Sequence, residues 1–546
     1  MVKSGSKKAT IIPAAPESVQ KAINKYAYKP LLQRYLRKFF RGVEPGPANG
    51  KRVLLFAGLG AMFISPVEIL IYHLLRKEGY EVDYMVYDAS IPICEIVTRQ
   101  VVSEGKKEKM LQTLEADTIA QLTAANVAFS FVRESPEVEK ILASVGSDVE
   151  SMLSFAYEGI NFGEIIRNVL YRYFKSLTFG EGAADAARSF LKLSLVNYLQ
   201  VKELVNGHPY DFALYSHGIY ASWEPIAEYC RKEGIRFVCY DRAKTSGTVN
   251  FNINQPAPDW SMDSAWQRYS EYKLTEDETS WVHGYLRERE SQKNDVFAYN
   301  FSGREKDPDA LRTKLGIPGN CRVITLFTNL IWDAANVARD IAFPTFAECI
   351  FSTIEELGNR EDLHILVRSH PAEKVLGTSE RYAEIIRRRF GTSLPANVTF
   401  VEPEMDVNSF SLIDISDIGV VNTSTVGLEF AMSGKPVLLI SQTHYRGKGF
   451  TFDVENREQY FSTVKQLLAE PALLPMQIAL AEKYFYMMMA LYQQKMPIHF
   501  WKTKFNGYGF KHFNDLPTNE RIFALVRMFD DETLKDLVTW PRNAQG

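Results

Sequence analysis

Apolar positions along this chain follow two rhythms, short unbroken runs and longer stretches in which an apolar residue returns every third or fourth position. "RVLLFAGL" from Arg52, "YEVDYMVYD" from Tyr80, "DFALYSH" from Asp211 and "IRFVCYD" from Ile235 are runs of the buried-strand kind. A helical pattern from Pro66 to about Gly79 joins the first two, so Arg52 to Asp88 reads as a βαβ unit and predicts a parallel sheet covered by helices. From about 103 to 205 the pattern is helical only, an insertion into this first domain. A second series opens near 311, with "RVITLF", "DLHILVR", "NVTFVEP", "DIGVV" and "PVLLI" as five strand candidates separated by helices, one of them from about Ile341 to Leu357. The pattern therefore predicts two doubly wound α/β domains.

The expected boundaries are an arm over 1–50, a first domain over 51–275, a polar connection over 276–310, a second domain over 311–465 and a helical C-terminal segment over 466–546. Val53 to Leu75 is apolar for long enough to cross a bilayer. Ser65 as N-cap, Pro66 at the first helical position and Glu68 reaching back in a capping box divide it instead into a strand, a glycine loop and a helix.

Composition sharpens this picture. At 546 residues, with 46% hydrophobic content, the chain can fill two cores. A net charge of −3 excludes a general nucleic-acid binder, which needs a surplus of Lys and Arg. Five scattered cysteines, none in a CxxC or metal-ligand spacing, read as reduced core residues. The first thirty residues hold no apolar run with a cleavage site, so a cytoplasmic protein is expected. Charge is nevertheless uneven: twelve Lys or Arg stand between Met1 and Arg52 against Glu17 and Glu44. Within residues 31–41, Leu32, Tyr35, Leu36, Phe39 and Phe40 alternate with Arg34, Arg37, Lys38 and Arg41, which suits a helix on an anionic membrane surface and equally one packed on the protein's own core.

In open parallel sheets ligands bind beyond the carboxyl ends of the strands, so candidate residues are those that follow each run. They are Thr328, Asn329, Trp332 and Asp333; Arg368, Ser369, His370 and Pro371; Asn422 to Thr425; and Ser441, Tyr445, Arg446 and Lys448. The stretch "GVVNTSTVGLEFAMSGKPVLLI" leaves a strand through small hydroxyl residues and enters a helix carrying Glu429. Ser424, Thr425 and the backbone at the helix start can cradle a phosphate, and Glu429 can accept from a sugar diol. The same residue types also serve as ordinary helix caps. On the first domain the corresponding edge offers Gly58 and Gly60, then His217, then Asp241, and the last two are the general-base candidates.

At this point a family is visible. "VRSHPAE", "DIGVVNTSTVGLEFAMSGKPVLLI" and "HYRGKGFTF" resemble the capsule polysaccharide biosynthesis family, which includes Kdo transferases, and the tandem domains resemble GT-B glycosyltransferases. The resemblance covers Val323 to Phe452 and is architectural in the first domain. Gln255-Pro256 is the one candidate for the glutamine-proline motif that some of those transferases carry. It implies an α/β GT-B-like fold, two Rossmann-like domains facing a cleft, with a helical insertion in the first and C-terminal helices. It implies a glycosyltransferase that takes a nucleotide-sugar donor in the second domain and a glycan or lipid-linked acceptor in the first, with no metal and no other cofactor. Arg368, His370, Ser424, Thr425 and Lys448 would neutralise the donor phosphate, Glu429 would hold its hydroxyls, and His217 or Asp241 would take the acceptor proton. Related proteins of this fold are glycerol-phosphate transferases and nucleotide-sugar 2-epimerases, and a non-catalytic glycan-binding scaffold is the remaining alternative.

Overall fold

A computed structural model describes residues 10–13, 15–57, 64–87, 90–91, 93–95, 104–260, 262–269, 271–290, 303–333, 336, 339–391, 393–501, 504–517, 526 and 529. Gly58 and Gly60, read above as a close-approach loop, lie outside the described residues, as does most of the chain beyond 517.

Two sheets organise the chain. The first contains β1 (Arg52–Ala57), β2 (Glu81–Val86), β3 (Ser130–Phe131), β4 (Phe212–Ser216), β5 (Arg236–Arg242) and β6 (Thr248–Ile253), in the order β6-β5-β4-β1-β2-β3. All pair in parallel except β6, which runs antiparallel to β5. The second contains β7 (Arg322–Phe327), β8 (Leu363–Arg368), β9 (Val398–Val401), β10 (Ile418–Val421), β11 (Val437–Leu439) and β12 (Phe452–Asp453), in the order β12-β11-β10-β7-β8-β9 and parallel throughout. Each therefore reverses its winding beside its first strand, between β1 and β4 and between β7 and β10, the switch points where such sheets hold ligands. β12 is a sixth strand where five were expected; at two residues it is too short to show a pattern. The helix expected from Ile341 starts at Phe346, where Thr345 accepts from the Glu348 N–H, because the preceding residues carry a bridge from Asp340 to Ser441.

The run Val53–Leu75 divides into β1 and the helix Ile64–Lys77, but that helix already includes Ser65 and Pro66, so Ser65 is not its N-cap and Pro66 is not its first residue. Glu68 is not a cap either. It is 1% exposed and accepts from the Tyr84 and Tyr240 hydroxyls at 2.7 and 2.6 Å, and burial lifts its carboxyl to about 7. Among the described residues no helix is long and apolar enough to cross a membrane.

The helix Tyr28–Phe39 settles its two readings. Leu32, Leu36, Phe39 and Phe40 are buried, the Phe39 ring lies 4.6 Å from that of Tyr508, and the Tyr28 hydroxyl donates to the Phe505 carbonyl at 2.9 Å. Its apolar face is thus covered by the chain's own C-terminal part and is not available to lipid, while Arg34, Arg37, Lys38 and Arg41 stay exposed. The C-terminal segment is also not wholly helical. After the helix Pro475–Tyr486 and a π-helical turn through Tyr492, β13 (Gln494–Lys495) joins the first sheet beside β6, and β14 (His499–Trp501) and β15 (Lys504–Gly507) form a hairpin. The Met-rich stretch packs into the core as expected, with Met487 and Met488 fully buried. All five cysteines are buried and unbridged.

Candidate functional site

The carboxyl ends of three strands of the second sheet are stitched together by their own side chains. The Thr328 hydroxyl, just past β7, accepts from the His370 N–H past β8 at 3.0 Å. Asn329 donates through Nδ2 to the Thr423 hydroxyl past β10 at 2.8 Å. Thr423 in turn donates to Asn336, so this hydroxyl is spent on structure. A cavity of about 470 Å³ opens above the junction and takes Thr328, Asn329, Arg368, His370, Ser424, Thr425 and Glu429 as lining.

His370 is held in one tautomer. Its Nδ1 accepts from the Ala372 N–H at 3.1 Å, which leaves the proton on Nε2. Burial, with the charges of Arg368 and Lys244, pushes the imidazole down to about 4, so it is neutral near pH 7 and acts as a donor rather than a base. Arg368 is tethered: its guanidinium donates to the Glu402 carbonyl at 2.8 Å and the Val407 carbonyl at 3.0 Å. Its Nε is buried without a hydrogen-bond partner, and burial lowers the group to about 10.

The turn that precedes Val426–Met432 does not behave as a simple cap. Ser424 accepts from the Val426 N–H at 3.3 Å, a local bond, but Thr425 makes no capping bond with its side chain. Its hydroxyl accepts instead from Arg289 Nη2 at 3.0 Å, and Arg289 Nη1 stands 3.1 Å from Glu429 Oε1. Glu429, expected to be held for sugar hydroxyls, is in this state paired with an arginine from the helix Glu276–Glu290, in the stretch read as a polar connection. Five other strand-end candidates, Asn422, Ser441, Tyr445, Arg446 and Lys448, stand outside the cavity lining, and Arg446 is spent on the Leu439 and Val454 carbonyls. Tyr445 is fully buried and donates to the Ser424 carbonyl at 2.5 Å, a reach that Gly427 permits, since a Cβ there would lie 2.6 Å from the phenol oxygen. Lys448 is paired with Asp263, and Asn422 is buried beneath the turn, where its carbonyl accepts from Ser441 at 2.6 Å.

The first domain supplies the facing wall. His217, past β4, has φ 61° and Tyr220 has φ 77°, left-handed conformations that cost roughly 1–2 kcal/mol each for such residues. His217 stacks on Tyr220 with ring centroids 5.2 Å apart, and its Nε2 lies 3.8 Å from Asp241 Oδ2 at the end of β5. Burial and Arg172 push the imidazole down to about 3, whereas burial raises Asp241 to about 6. Both line a second cavity of about 250 Å³. The two cavities share Lys244, Asp333, Thr423 and Thr425, so they are parts of one cleft between the sheets.

Sequence reasoning overlooked most of the cleft's cations. Arg172 and Lys175 come from the helical insertion, Lys244 from the turn between β5 and β6, Arg289 from the connecting helix and Arg339 from the loop after β7. Proximity to a strand end could have flagged Lys244; nothing in the local pattern marks Arg172, Lys175 or Arg289, whose position depends on tertiary packing.

Two doubly wound sheets whose carboxyl edges meet across a polar cleft define a GT-B-like architecture. Residues 310–492, the second sheet with the helices behind it, match the model of the family described as capsule polysaccharide biosynthesis protein. Among curated proteins no relative matches the sequence. Solved structures that it resembles include the Thermosulfurimonas dismutans KpsC β-Kdo 2,4 transferase, at 14% identity and a TM-score of 0.35 over 59% of this chain and 87% of that one. The β-Kdo 2,7 transferase of the same protein aligns at 14% identity and a TM-score of 0.33 over 60% and 89%. A UDP-GlcNAc 2-epimerase from Neisseria meningitidis aligns at 11% identity and a TM-score of 0.26 over 79% and 98%.

Proposed function

We propose that the chain is a glycosyltransferase of capsular or other surface polysaccharide synthesis, which moves a sugar from a nucleotide-sugar donor to a glycan or lipid-linked acceptor in the cleft. The observation that carries this reading is the sharing of Thr425, Thr423, Lys244 and Asp333 between the two cavities, which puts the phosphate-suited turn of one domain and the acid-base pair of the other on a single space. The family match over 310–492 supports the same class.

In this reading the donor phosphate lies against Ser424 and Thr425, with the His370 Nε2–H as a neutral donor and with Lys244, Arg289 and Arg368 supplying charge. Preorganised donors and cations stabilise the negative charge that builds on the departing phosphate without having to reorganise. Glu429 turns from Arg289 to the donor hydroxyls when the phosphate draws the guanidinium away. Asp241 takes the proton of the acceptor hydroxyl, since a carboxyl near 6 is ionised at neutral pH yet remains a stronger base than an ordinary aspartate. The exposed row Arg34, Arg37, Lys38 and Arg41 supports a purely electrostatic contact with an anionic membrane surface, where a lipid-linked acceptor would be met.

The test is to incubate the protein with nucleotide sugars, with and without an acceptor glycan. Nucleotide release that depends on the acceptor supports transfer. Conversion of the nucleotide sugar without an acceptor would replace this reading with epimerisation, and binding without turnover would replace it with a scaffold.

A further inference from the structure

Lys175 reaches the cavity from the first domain, yet its position is set by the second. It caps the helix Phe162–Phe174 in a left-handed conformation, φ 56°, that a lysine adopts only when its surroundings impose it. Those surroundings are one turn, 378–380. The Ser379 N–H donates to the Lys175 carbonyl at 3.0 Å and the Ser379 hydroxyl donates to the Phe174 carbonyl at 2.8 Å. Glu380, 8% exposed and paired with Arg388, accepts through Oε2 from the Ser176 hydroxyl at 3.0 Å and the Leu177 N–H at 3.2 Å.

The same turn also anchors the surface on which the lysine rests. Thr378 accepts from Trp332 Nε1 at 3.0 Å, and the Lys175 ammonium sits 3.5 Å from the centre of a Trp332 ring. Three consecutive residues thus orient both members of a cation–π pair at the edge of the phosphate-suited cavity, where Arg172 lies 6.0 Å from the same tryptophan. A cation on an aromatic face is held by about 0.5–2 kcal/mol, which an oxyanion can exceed.

We propose that Thr378–Glu380 is an interdomain clasp that delivers Lys175 to the phosphate of the donor, so that the cavity has its full affinity for an anion only when the two domains are closed on each other. This rests on the donor reading above. Lys175 would touch the phosphate; Glu380 is a positioning residue that acts through it.

The lysine gives the clasp a readout that packing alone would not. Burial, with Arg172 beside it, lowers the ammonium to about 8, and Asp333 opposes that shift. The charges acting on it are Arg172 on its own helix and Asp333 beyond β7; Lys244, Arg289, Arg368, His370 and Glu429 line the same cavity, and Glu380 lies behind it on the clasp. Affinity for a phosphate should therefore fall as pH rises through about 8, when the ammonium loses its proton.

The experiment is calorimetric titration with UDP, GDP, ADP, TDP and CMP from about pH 6.5 to 9.5 on the wild type, Lys175→Met, Lys175→Arg, Glu380→Ala, Glu380→Gln and the Lys175→Met, Glu380→Ala pair. Expected results are a loss of roughly tenfold for Lys175→Met and for Glu380→Ala, the worth of one charge-assisted contact. The double variant should be no weaker than either single one, and Lys175→Arg should bind without the alkaline decline. Glu380→Gln, which keeps an acceptor for Ser176 and Leu177, should bind near the wild-type level; Lys175→Met and Lys175→Arg carry the test if Glu380→Ala fails to fold. Wild-type affinity in Lys175→Met, or additive losses in the double variant, would overturn the clasp and leave the donor reading standing. If the wild type binds none of these nucleotides, the donor reading falls and the clasp with it.

Discussion

Arg289 and Glu429 meet inside the cleft at 3.1 Å, one from the helix that leaves the first domain and the other from the short helix after the phosphate-suited turn. Their side chains are 9% and 5% exposed, so the two charges compensate each other away from bulk water. The pair links the connection between the domains to the residue expected to hold the donor's hydroxyls.

Arg289→Met leaves the Glu429 carboxylate buried without its cation. Breaking a buried pair from one side costs about 3–5 kcal/mol, whereas removing both charges costs far less. Urea unfolding should show the loss in Arg289→Met and recover most of it in the Arg289→Met, Glu429→Gln pair. Equal stability of the two variants would contradict a compensating pair.

His370→Asn separates shape from chemistry. The asparagine Oδ1 can replace Nδ1 as acceptor for the Ala372 N–H, while the Nε2–H proposed to meet the donor phosphate is lost. Stability should hold and the transfer rate should fall roughly 10²-fold, the scale of one lost donor to developing charge. Because the imidazole titrates near 4, the wild-type rate should show no His370 limb between about pH 6 and 9.

How much of this was legible in the sequence varies by element for physical reasons. Strands such as Val323–Phe327 and Leu363–Val367 are buried on both faces, so they read as unbroken apolar runs, and the residues after them could be placed at the sheet's edge. That placement brought Thr328, Arg368, His370, Ser424 and Thr425 into one cavity. It could not separate residues that face the cleft from those that brace it, because Tyr445 and Lys448 follow a strand in the same way and are consumed by Ser424 and Asp263. Lys175 and Arg289 lie on helices whose local pattern holds no trace of where they dock. Glu68 shows the limit of local rules: Ser65, Pro66 and Glu68 have the spacing of a helix start, yet the carboxylate is claimed by Tyr84 and Tyr240, one of them far along the chain.

Glu68 also predicts the pH dependence of stability. Its carboxyl is raised in the folded state to about 7 from an ordinary value near 4.5, so between those values the folded protein holds a proton that the unfolded chain has released. Stability from this group is complete at the acid end and is lost as pH rises through about 7. Glu68→Gln should be more stable than the wild type above pH 7, by on the order of 3 kcal/mol, and show little such advantage near pH 5. An advantage independent of pH would contradict a titrating Glu68.

Asp241 should set the acid limb of catalysis. If it takes the acceptor proton, kcat/KM rises with pH through about 6 and levels above it. Asp241→Asn should abolish that limb and most of the rate while leaving nucleotide binding intact. A limb that persists in Asp241→Asn would transfer the base role elsewhere, with His217 next in line.

A nucleotide bound at the turn Thr423–Thr425 beside His370, as proposed, would make thermal stability depend on nucleotide. The wild type and a Ser424→Ala, His370→Ala variant are melted with and without a panel of nucleotides and nucleotide sugars. A ligand present at about a hundred times its Kd adds about 2.7 kcal/mol to the folded state. One nucleotide should raise the wild-type melting temperature by a few degrees and leave the folded variant unmoved. Equal shifts in both proteins would place the nucleotide elsewhere, and no shift with any nucleotide would contradict a donor site in this cleft.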